Sequence, residues 1–213
     1  MIARLDFLKE ILLPTETLAD IGCDHGKLGV AVLEAKKAKK VIFSDISAKS
    51  LEKAKKLCEK KKILDAEFLC ANGFDGMHYA DTVVIAGMGG KEIISILEKC
   101  NHHPKQLLLQ PMKNQKELRE YLQNHFYTEI DLTIFDNKFY TVIRCSSGKE
   151  KLNELQLQFG KTNVIKPTEN FIKFLDKELE KTNILMQNET KSNKIIEYNR
   201  LVRICQGEIC QKN

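Results

Sequence analysis

Three features of this 213-residue chain predict an α/β fold, with a mostly parallel seven-stranded sheet closed by an antiparallel hairpin and a C-terminal antiparallel helical pair behind it. Apolar runs of strand length alternate with amphipathic stretches from Leu5 to Cys145. One of these runs breaks into an acid-and-glycine turn, Thr17-Leu-Ala-Asp20-Ile-Gly22-Cys23-Asp24-His25-Gly26-Lys27-Leu28-Gly29, before helical periodicity resumes. The last two runs, Thr128 to Phe135 and Phe139 to Cys145, are separated only by Asp136-Asn137-Lys138, a spacing that dictates a hairpin.

The elements follow in order. Leu5, Leu8, Ile11 and Leu12 recur at helical spacing before Pro14, so residues 2 to 13 are read as an amphipathic helix. Leu18 to Ile21 is the first strand and Val41-Ile42-Phe43-Ser44 the second, with Ser47 capping a Lys-rich helix. Ala66 to Cys70 is the third strand, followed by the loop Ala71-Asn72-Gly73-Phe74-Asp75-Gly76. Thr82 to Ala86 is the fourth, leading into Gly87-Met88-Gly89-Gly90 and a helix from Lys91 to Cys100. Gln106 to Gln110 is a buried fifth strand stopped by Pro111, and residues 114 to 125 form its helix. Beyond Gly148 no strand is expected: Phe171 to Leu185 and Ile195 to Cys205 mark two helices, with Gln187 to Ser192 as their turn. The expected division is residues 1–148 and residues 149–213.

The turn at 20–26 constrains the ligand. A hydride-transfer site shows G-x-G-x-x-G and a P-loop shows G-x-x-x-x-G-K-[ST]; neither is present. Asp20 and Asp24 would repel a phosphate, so the ligand should present cationic or hydroxyl groups instead. S-adenosylmethionine, with an ammonium, a sulfonium and a ribose, fits. Asp45 lies at the end of the second strand, about where an acidic side chain meets ribose hydroxyls in doubly wound folds. Asn72 is open between an adenine contact and a plain Asn-Gly turn. A parallel sheet finished by a hairpin is the pattern of the class I S-adenosylmethionine-dependent methyltransferases, a Rossmann-like fold, whereas nicotinamide Rossmann domains lack that hairpin.

Composition agrees with a soluble protein: hydrophobic residues make up 43% and charged residues 30%, without a long apolar span. Arg4 and Asp6 interrupt the first helix and no small-residue cleavage site follows, so no membrane association is expected and the cytoplasm is the default location. Seven scattered cysteines without C-x-x-C are read as reduced thiols, and no metal is expected. A monomer is expected, with an oligomer left open. The net charge of +5, with lysines concentrated at 36–40 and 53–62, is compatible with a polyanionic partner such as RNA, while a solvated helix face is the favoured reading of the second run.

The chain resembles the bacterial tRNA (adenine-22-N1)-methyltransferases of the TrmK type. The matching residues are Arg4-Leu5, Ala19 to Gly26 with Leu28, Asn72-Gly73, Ile85-Ala86-Gly87-Met88-Gly89-Gly90 and Leu108-Leu109-Gln110-Pro111. Cys23 and Gly26 stand where that family often has Ser and Ala, and Asn72 where an Asp is expected. The resemblance covers the N-terminal part well and the helical tail in outline.

The resemblance implies methyl transfer from S-adenosylmethionine to N1 of an adenine in the D-arm region of tRNA. On that reading Asp20 and Gly22 meet the methionine end of the cofactor, Asp45 its ribose and Asn72 with Gly73 its adenine, with His25 and Gly26 completing the loop. Gly87, Met88 and Gly89 form the floor for the target base, Gly87 also touching the cofactor, with Gly90 and Gln110 beside it. Asp24 either orients cofactor and base or caps the helix. Arg4, Lys27, Lys91 and Lys113 are candidates for phosphate contacts, and each is equally an ordinary surface charge. Met88 or Tyr140 could stack on the flipped base, although core packing explains Tyr140 equally well. The alternatives are a methyltransferase for another RNA or a small molecule, and a non-catalytic cofactor-binding module whose helical tail recruits a partner.

Overall fold

The computed structural model describes residues 3–187 and 192–210. Its first helix, α1 (Arg4–Ile11), is shorter than the expected span of 2 to 13. Leu12 is already extended at φ −65° and ψ 129°, and Pro14 disfavours helical backbone at the residue before it. The Lys37 ammonium then closes the helix end by donating to the carbonyls of Glu10 and Leu12. Lys39 and Lys40 of the run at 36–40 lie in the second strand, which starts at Ala38, three residues earlier than its apolar run.

The remaining elements of the sheet domain are β1 (Thr15–Ile21), α2 (Lys27–Glu34), β2 (Ala38–Asp45), α3 (Ala48–Lys61), β3 (Ala66–Cys70) and β4 (Thr82–Met88). They continue with α4 (Gly90–Leu97), β5 (Gln106–Pro111), α5 (Gln115–Leu122), β6 (Phe126–Asp136) and β7 (Lys138–Ser147). The strands form one seven-stranded sheet in the order β3-β2-β1-β4-β5-β7-β6. The first five run parallel, and β7 is antiparallel to both β5 and β6. Asn137, left-handed at φ 60°, makes the tight reversal between β6 and β7.

Successive residues of a strand face opposite sides of the sheet, and the parallel strands are buried on both. Leu18, Val41, Phe43, Val84 and Leu108 pack under α1, α2 and α3. Ala19, Ile42, Val83, Ile85, Leu107 and Leu109 pack under α4 and α5. The carboxyl ends of all five parallel strands therefore lie along one edge, where loops rather than helices meet solvent.

The tail departs from the expectation of two helices. Two short ones, α6 (Glu154–Phe159) and α7 (Lys161–Ile165), precede the long α8 (Glu169–Met186) and α9 (Asn193–Cys210). The expected turn at Gln187 to Ser192 lies mostly outside the described residues. The short helices cover the edge of β6. Thr162 Oγ1 accepts from Asp131 N at 2.8 Å, Asn163 Oδ1 from Thr133 N at 3.1 Å, and a Glu150 carboxylate oxygen from Thr128 N at 2.8 Å. An edge strand whose outward amides are satisfied in this way is no longer a template for another chain. Phe171, Leu175, Leu201, Val202 and Cys205 of the long helices share one apolar cluster with Leu155, Phe159 and Val164 of the short ones.

A buried ion pair ties this tail to the sheet. Arg119 Nε donates to Asp131 Oδ2 at 2.7 Å and Arg119 Nη2 to Oδ1 at 3.0 Å. The two side chains are 3% and 1% exposed. Nη1 of the same guanidinium donates to the carbonyls of Leu157 and Gln158 at the end of α6. Gly160, at φ 99°, lets the chain pass directly over the Asp131 carboxylate, where a Cβ would collide. Removing one partner strands the other charge in a dry site, so Asp131→Ala should lower unfolding free energy by about 3–5 kcal/mol. Lys39→Ala, which breaks the exposed pair with Glu16, should lower it by less than about 1 kcal/mol. Urea denaturation of the two variants checks the difference.

Candidate active site

The turn after β1 is held by four separate ties. Asp20 is buried, and its Oδ2 accepts from Gly29 N at 3.1 Å, pinning the end of β1 to the second residue pair of α2. Gly22 N and Cys23 N both donate to Ser44 O, at 2.8 and 3.1 Å. Asp45 Oδ2 accepts from Asp24 N at 2.9 Å, while Oδ1 accepts from Ser47 N at 2.8 Å. Gly26, left-handed at φ 68°, starts α2 with its Cα against Ala54, where a Cβ would sit 2.8 Å from the Ala54 Cβ. His25 reaches outward, with Nε2 2.7 Å from Lys53 Nζ and 3.6 Å from Asp24 Oδ1. Asp24 itself is exposed and left-handed at φ 49°, and the helix cap is Gly26 rather than Asp24.

The neighbouring strand ends close round this turn. Ser44 Oγ donates to Gly73 O at 3.1 Å, joining β2 to the Asn72-Gly73 loop, and the Asn72 side chain is exposed. At the end of β4, Gly87 is left-handed at φ 81° and exposed, and a Cβ there would meet nothing within 4 Å. The Met88 methyl group lies over Gly22, so closely that a Cβ on Gly22 would overlap it. Gly89 caps α4, with the Lys113 side chain lying across it. Gly90 faces inward: its N–H donates to Lys113 O at 2.7 Å, and Asn114 backbone fills the space a Cβ would need. Lys27 and Lys91 are exposed in the first turns of α2 and α4.

A second cluster stands at the end of β5. Gln110 is fully buried; its Oε1 accepts from Arg4 Nη1 at 2.7 Å, and its Nε2 donates to Pro111 O at 3.2 Å and to Met112 Sδ at 3.3 Å. The Arg4 guanidinium lies 5.1 Å from the centre of the Tyr140 ring, and Lys138 Nζ lies 5.1 Å from the same centre. Arg4 N also donates to Asp136 Oδ2 at 2.9 Å. Arg4 is thus committed to the interior of this cluster, and Tyr140 is already flanked by two cations. Asp20, Gly22, Asp24, Asp45, Gly73 and Met88 meet round one turn; Arg4 and Gln110 meet beside it.

Three carboxylates round one glycine turn set its electrostatics. Burial, partly offset by the Gly29 hydrogen bond and reinforced by Asp45, raises the Asp20 carboxyl from 3.8 to about 7. Burial, with Asp20 and Asp45 nearby, also holds the Cys23 thiol well above its ordinary range, so it is no thiolate nucleophile. Such a site disfavours a diphosphate and suits a ligand bearing positive charge and hydroxyls. Ile46, 76% exposed directly after Asp45, offers an apolar platform that the sequence reading missed; the signal was an aliphatic residue following the strand-terminal acid. Tyr140 with Asp136 and Lys138 is not legible as a group because Asp136 and Tyr140 meet Arg4, and Lys138 meets Tyr140, only through the fold. Among the described residues, no group of three or more His, Cys, Asp or Glu is placed to hold a metal, and no helix is long and apolar enough to cross a membrane.

The shifted Asp20 carboxyl has a consequence for stability. Between about pH 4 and about pH 7 the folded chain keeps a proton that the unfolded chain has released. Stability of the ligand-free protein should therefore fall as pH rises through that window, by about 4 kcal/mol at most. Asp20→Asn, which keeps the Gly29 hydrogen bond, should flatten this part of a urea midpoint-against-pH profile; an unchanged slope would assign it to other groups.

Comparison with known proteins places this geometry. Residues 18–206 match the family model described as tRNA (adenine(22)-N(1))-methyltransferase, TrmK. The tRNA (adenine(22)-N(1))-methyltransferase of Bacillus subtilis is 32% identical over 155 residues, covering 68% of this chain and 64% of that protein. The structure of M. capricolum TrmK in complex with the cofactor product S-adenosyl-homocysteine superposes with a TM-score of 0.88 at 22% identity, covering 98% of this chain and 99% of that one. The crystal structure of B. subtilis TrmK superposes with a TM-score of 0.82 at 21% identity, covering 96% and 98%. These likenesses confirm the Rossmann-like methyltransferase fold expected from the closing hairpin. With the family model spanning both the acid-and-glycine turn and the helical tail, the chain belongs to the TrmK family of tRNA (adenine(22)-N(1))-methyltransferases.

Proposed function

We infer that the protein transfers the methyl group of S-adenosylmethionine to N1 of adenine 22 in tRNA. The observation that carries this, beside family membership, is the turn at 20–26: the carboxylates of Asp20 and Asp24 with that of Asp45 beside them, no phosphate cradle, and the Met88 methyl at the end of β4 lying over Gly22. The residues fit the cofactor. Asp45 holds the ribose hydroxyls with the lone pairs not used by Asp24 N and Ser47 N. Asp20 and Gly22 set the backbone against the methionine end, with the turn of His25 and Gly26 beyond. Asn72 and Gly73 border the adenine, against Ile46.

When bound, S-adenosylmethionine supplies a sulfonium methyl that the N1 lone pair attacks in line, leaving a neutral thioether and a cationic base. Adenine N1 is unprotonated at neutral pH, so the protein provides no base to create the nucleophile. Its residues act by alignment, which can supply roughly 7–11 kcal/mol of a barrier. Gly87, Met88 and Gly89 form a bare floor on which the base settles, and Gly87, with open space above it, sets no side chain in the way. Carbonyls of that turn and the carboxylates of Asp20 and Asp24 favour the positive charge that develops on the base. Lys27, Lys91 and Lys113 lie on or beside the first turns of α2, α4 and α5 and meet phosphates of the RNA. Gly90 supports the floor from behind, and Arg4 with Gln110 forms its side wall. We assign residues 1–148 to the catalytic unit and residues 149–213 to a helical unit, acting as a monomer in the cytoplasm.

The test is transfer of labelled methyl to unmodified tRNA transcripts carrying adenine or guanine at position 22. Label should appear at N1 of adenine 22 and be absent from the guanine transcript. Asp45→Ala should raise the KM for S-adenosylmethionine about 10- to 100-fold, as expected for a lost hydrogen bond to a charged group. Equal labelling of both transcripts would redirect the activity to another substrate; cofactor binding without labelling would favour the non-catalytic module.

A further inference from the structure

A cleft of about 370 Å³ lies between the β6–β7 hairpin and α8, lined among others by Met112, Gln115, Lys138, Phe139, Phe174 and Lys181. It opens where β5 leaves the sheet. Met112, on its wall, accepts from Gln110 Nε2 at 3.3 Å, so the cleft and the Arg4–Gln110 cluster share a partition. We propose that this cleft holds one nucleotide of the RNA strand flanking the target adenine, its base against Phe139 and Phe174 and its phosphate between Lys138 and Lys181. The proposal rests on the reading of the site as an RNA methyltransferase.

Three observations carry it. First, the two phenylalanines meet edge to face at 5.6 Å and are only half buried, although one belongs to the hairpin and the other to α8. Aromatic surface of that kind stacks any base without reading its sequence. Second, cations stand on both lips. Lys138 rises from the hairpin, and Lys181 is on α8 with 63% of its side chain exposed. Lys177, one helical turn before Lys181, lies 5.9 Å from the Phe139 ring centre. The one acid lining the cleft, Glu178, is engaged: it accepts from Tyr198 Oη at 2.9 Å and lies 3.6 Å from Lys181. Third, the volume falls in the range of pockets that enclose a small molecule, enough for a nucleotide and too little for a helix.

The chemistry of the reaction supplies the need. N1 is on the pairing edge of adenine, so the target must leave its stack before transfer. Its neighbour in the strand then loses a stacking partner and turns its apolar face to water. The cleft wall includes Pro111, which pairs with Met88 in the sheet, and a base stacked there holds the strand open while the target lies on the floor at Gly87 to Gly89.

Binding of unmodified tRNA, measured by filter retention with S-adenosylhomocysteine present, tests the proposal without turnover. Lys138→Ala/Lys181→Ala should weaken tRNA binding about tenfold and reduce the slope of log affinity against log salt by about 0.8, as for one phosphate left without its cations. Its affinity for S-adenosylhomocysteine should be unchanged. Lys60→Ala, on the far helix α3, should move tRNA binding less than about twofold. In parallel, 4-thiouridine placed next to adenine 22 should photo-crosslink to the peptides containing Phe139 or Phe174. Wild-type affinity and salt slope in the double variant, an equal loss in Lys60→Ala, or a crosslink mapping elsewhere would each overturn the proposal and leave the cleft to a protein partner or to none. Failure of the wild-type protein to methylate the adenine transcript overturns the functional reading instead, and the binding measurement still decides the cleft.

Discussion

The hydrogen bond from Gly29 N to the buried Asp20 carboxylate is the constraint on which the site depends. It fixes the angle at which α2 leaves β1, and it partly offsets the burial that raises the carboxyl's pKa. Because the angle is fixed, Gly22 and Cys23 can both donate to Ser44 O, and Asp24 N comes within reach of Asp45. The consequence is a turn in which the amides of Gly22, Cys23, Asp24, Gly26 and Gly29 are already used by the protein. A P-loop keeps such donors free for phosphate; here those five amides are spent internally, and carboxylates stand round the turn instead.

The second half of the sheet sets what lies opposite. Met88 over Gly22 and Lys113 over Gly89 bring the ends of β4 and β5 to the turn, while Arg4 crosses from the first helix to hold Gln110. Gln110 is buried and its amide is satisfied on both sides, so its orientation is defined before any ligand arrives. Farther along, Arg119 and Asp131 join α5, β6 and the end of α6, which determines where α8 stands relative to the hairpin. The position of the helical tail is in this way tied to the sheet that carries the site.

Much of this could be read from the chain. The parallel strands are continuous apolar runs because they are buried on both faces, and Asp136-Asn137-Lys138 leaves room only for a reversal, which Asn137 makes at φ 60°. Asp20, Gly22 and Asp45 were legible because strand, turn and helix periods change there. What could not be read depends on contacts between distant residues. The helices α6 and α7 have six and five residues, too short for a periodic signal, and distant partners hold them: Arg119 bonds the carbonyls at the end of α6, and Thr162 and Asn163 of α7 bond the edge of β6. Arg4 looked like a free surface cation, yet its partner is 106 positions away. Gly90 belongs to a run of glycines that reads as a ligand surface, but its tight packing is against Asn114 backbone.

The central claim, that the acid-rich turn after β1 takes a cationic, phosphate-free nucleoside, is tested most directly by calorimetric titration of the protein with S-adenosylmethionine and, separately, with NAD. S-adenosylmethionine should bind with one molecule per chain, and NAD should give no saturable heat at the same concentrations. Saturable NAD binding of comparable affinity would contradict the claim, since the carboxylates of Asp20, Asp24 and Asp45 would then have failed to exclude a diphosphate.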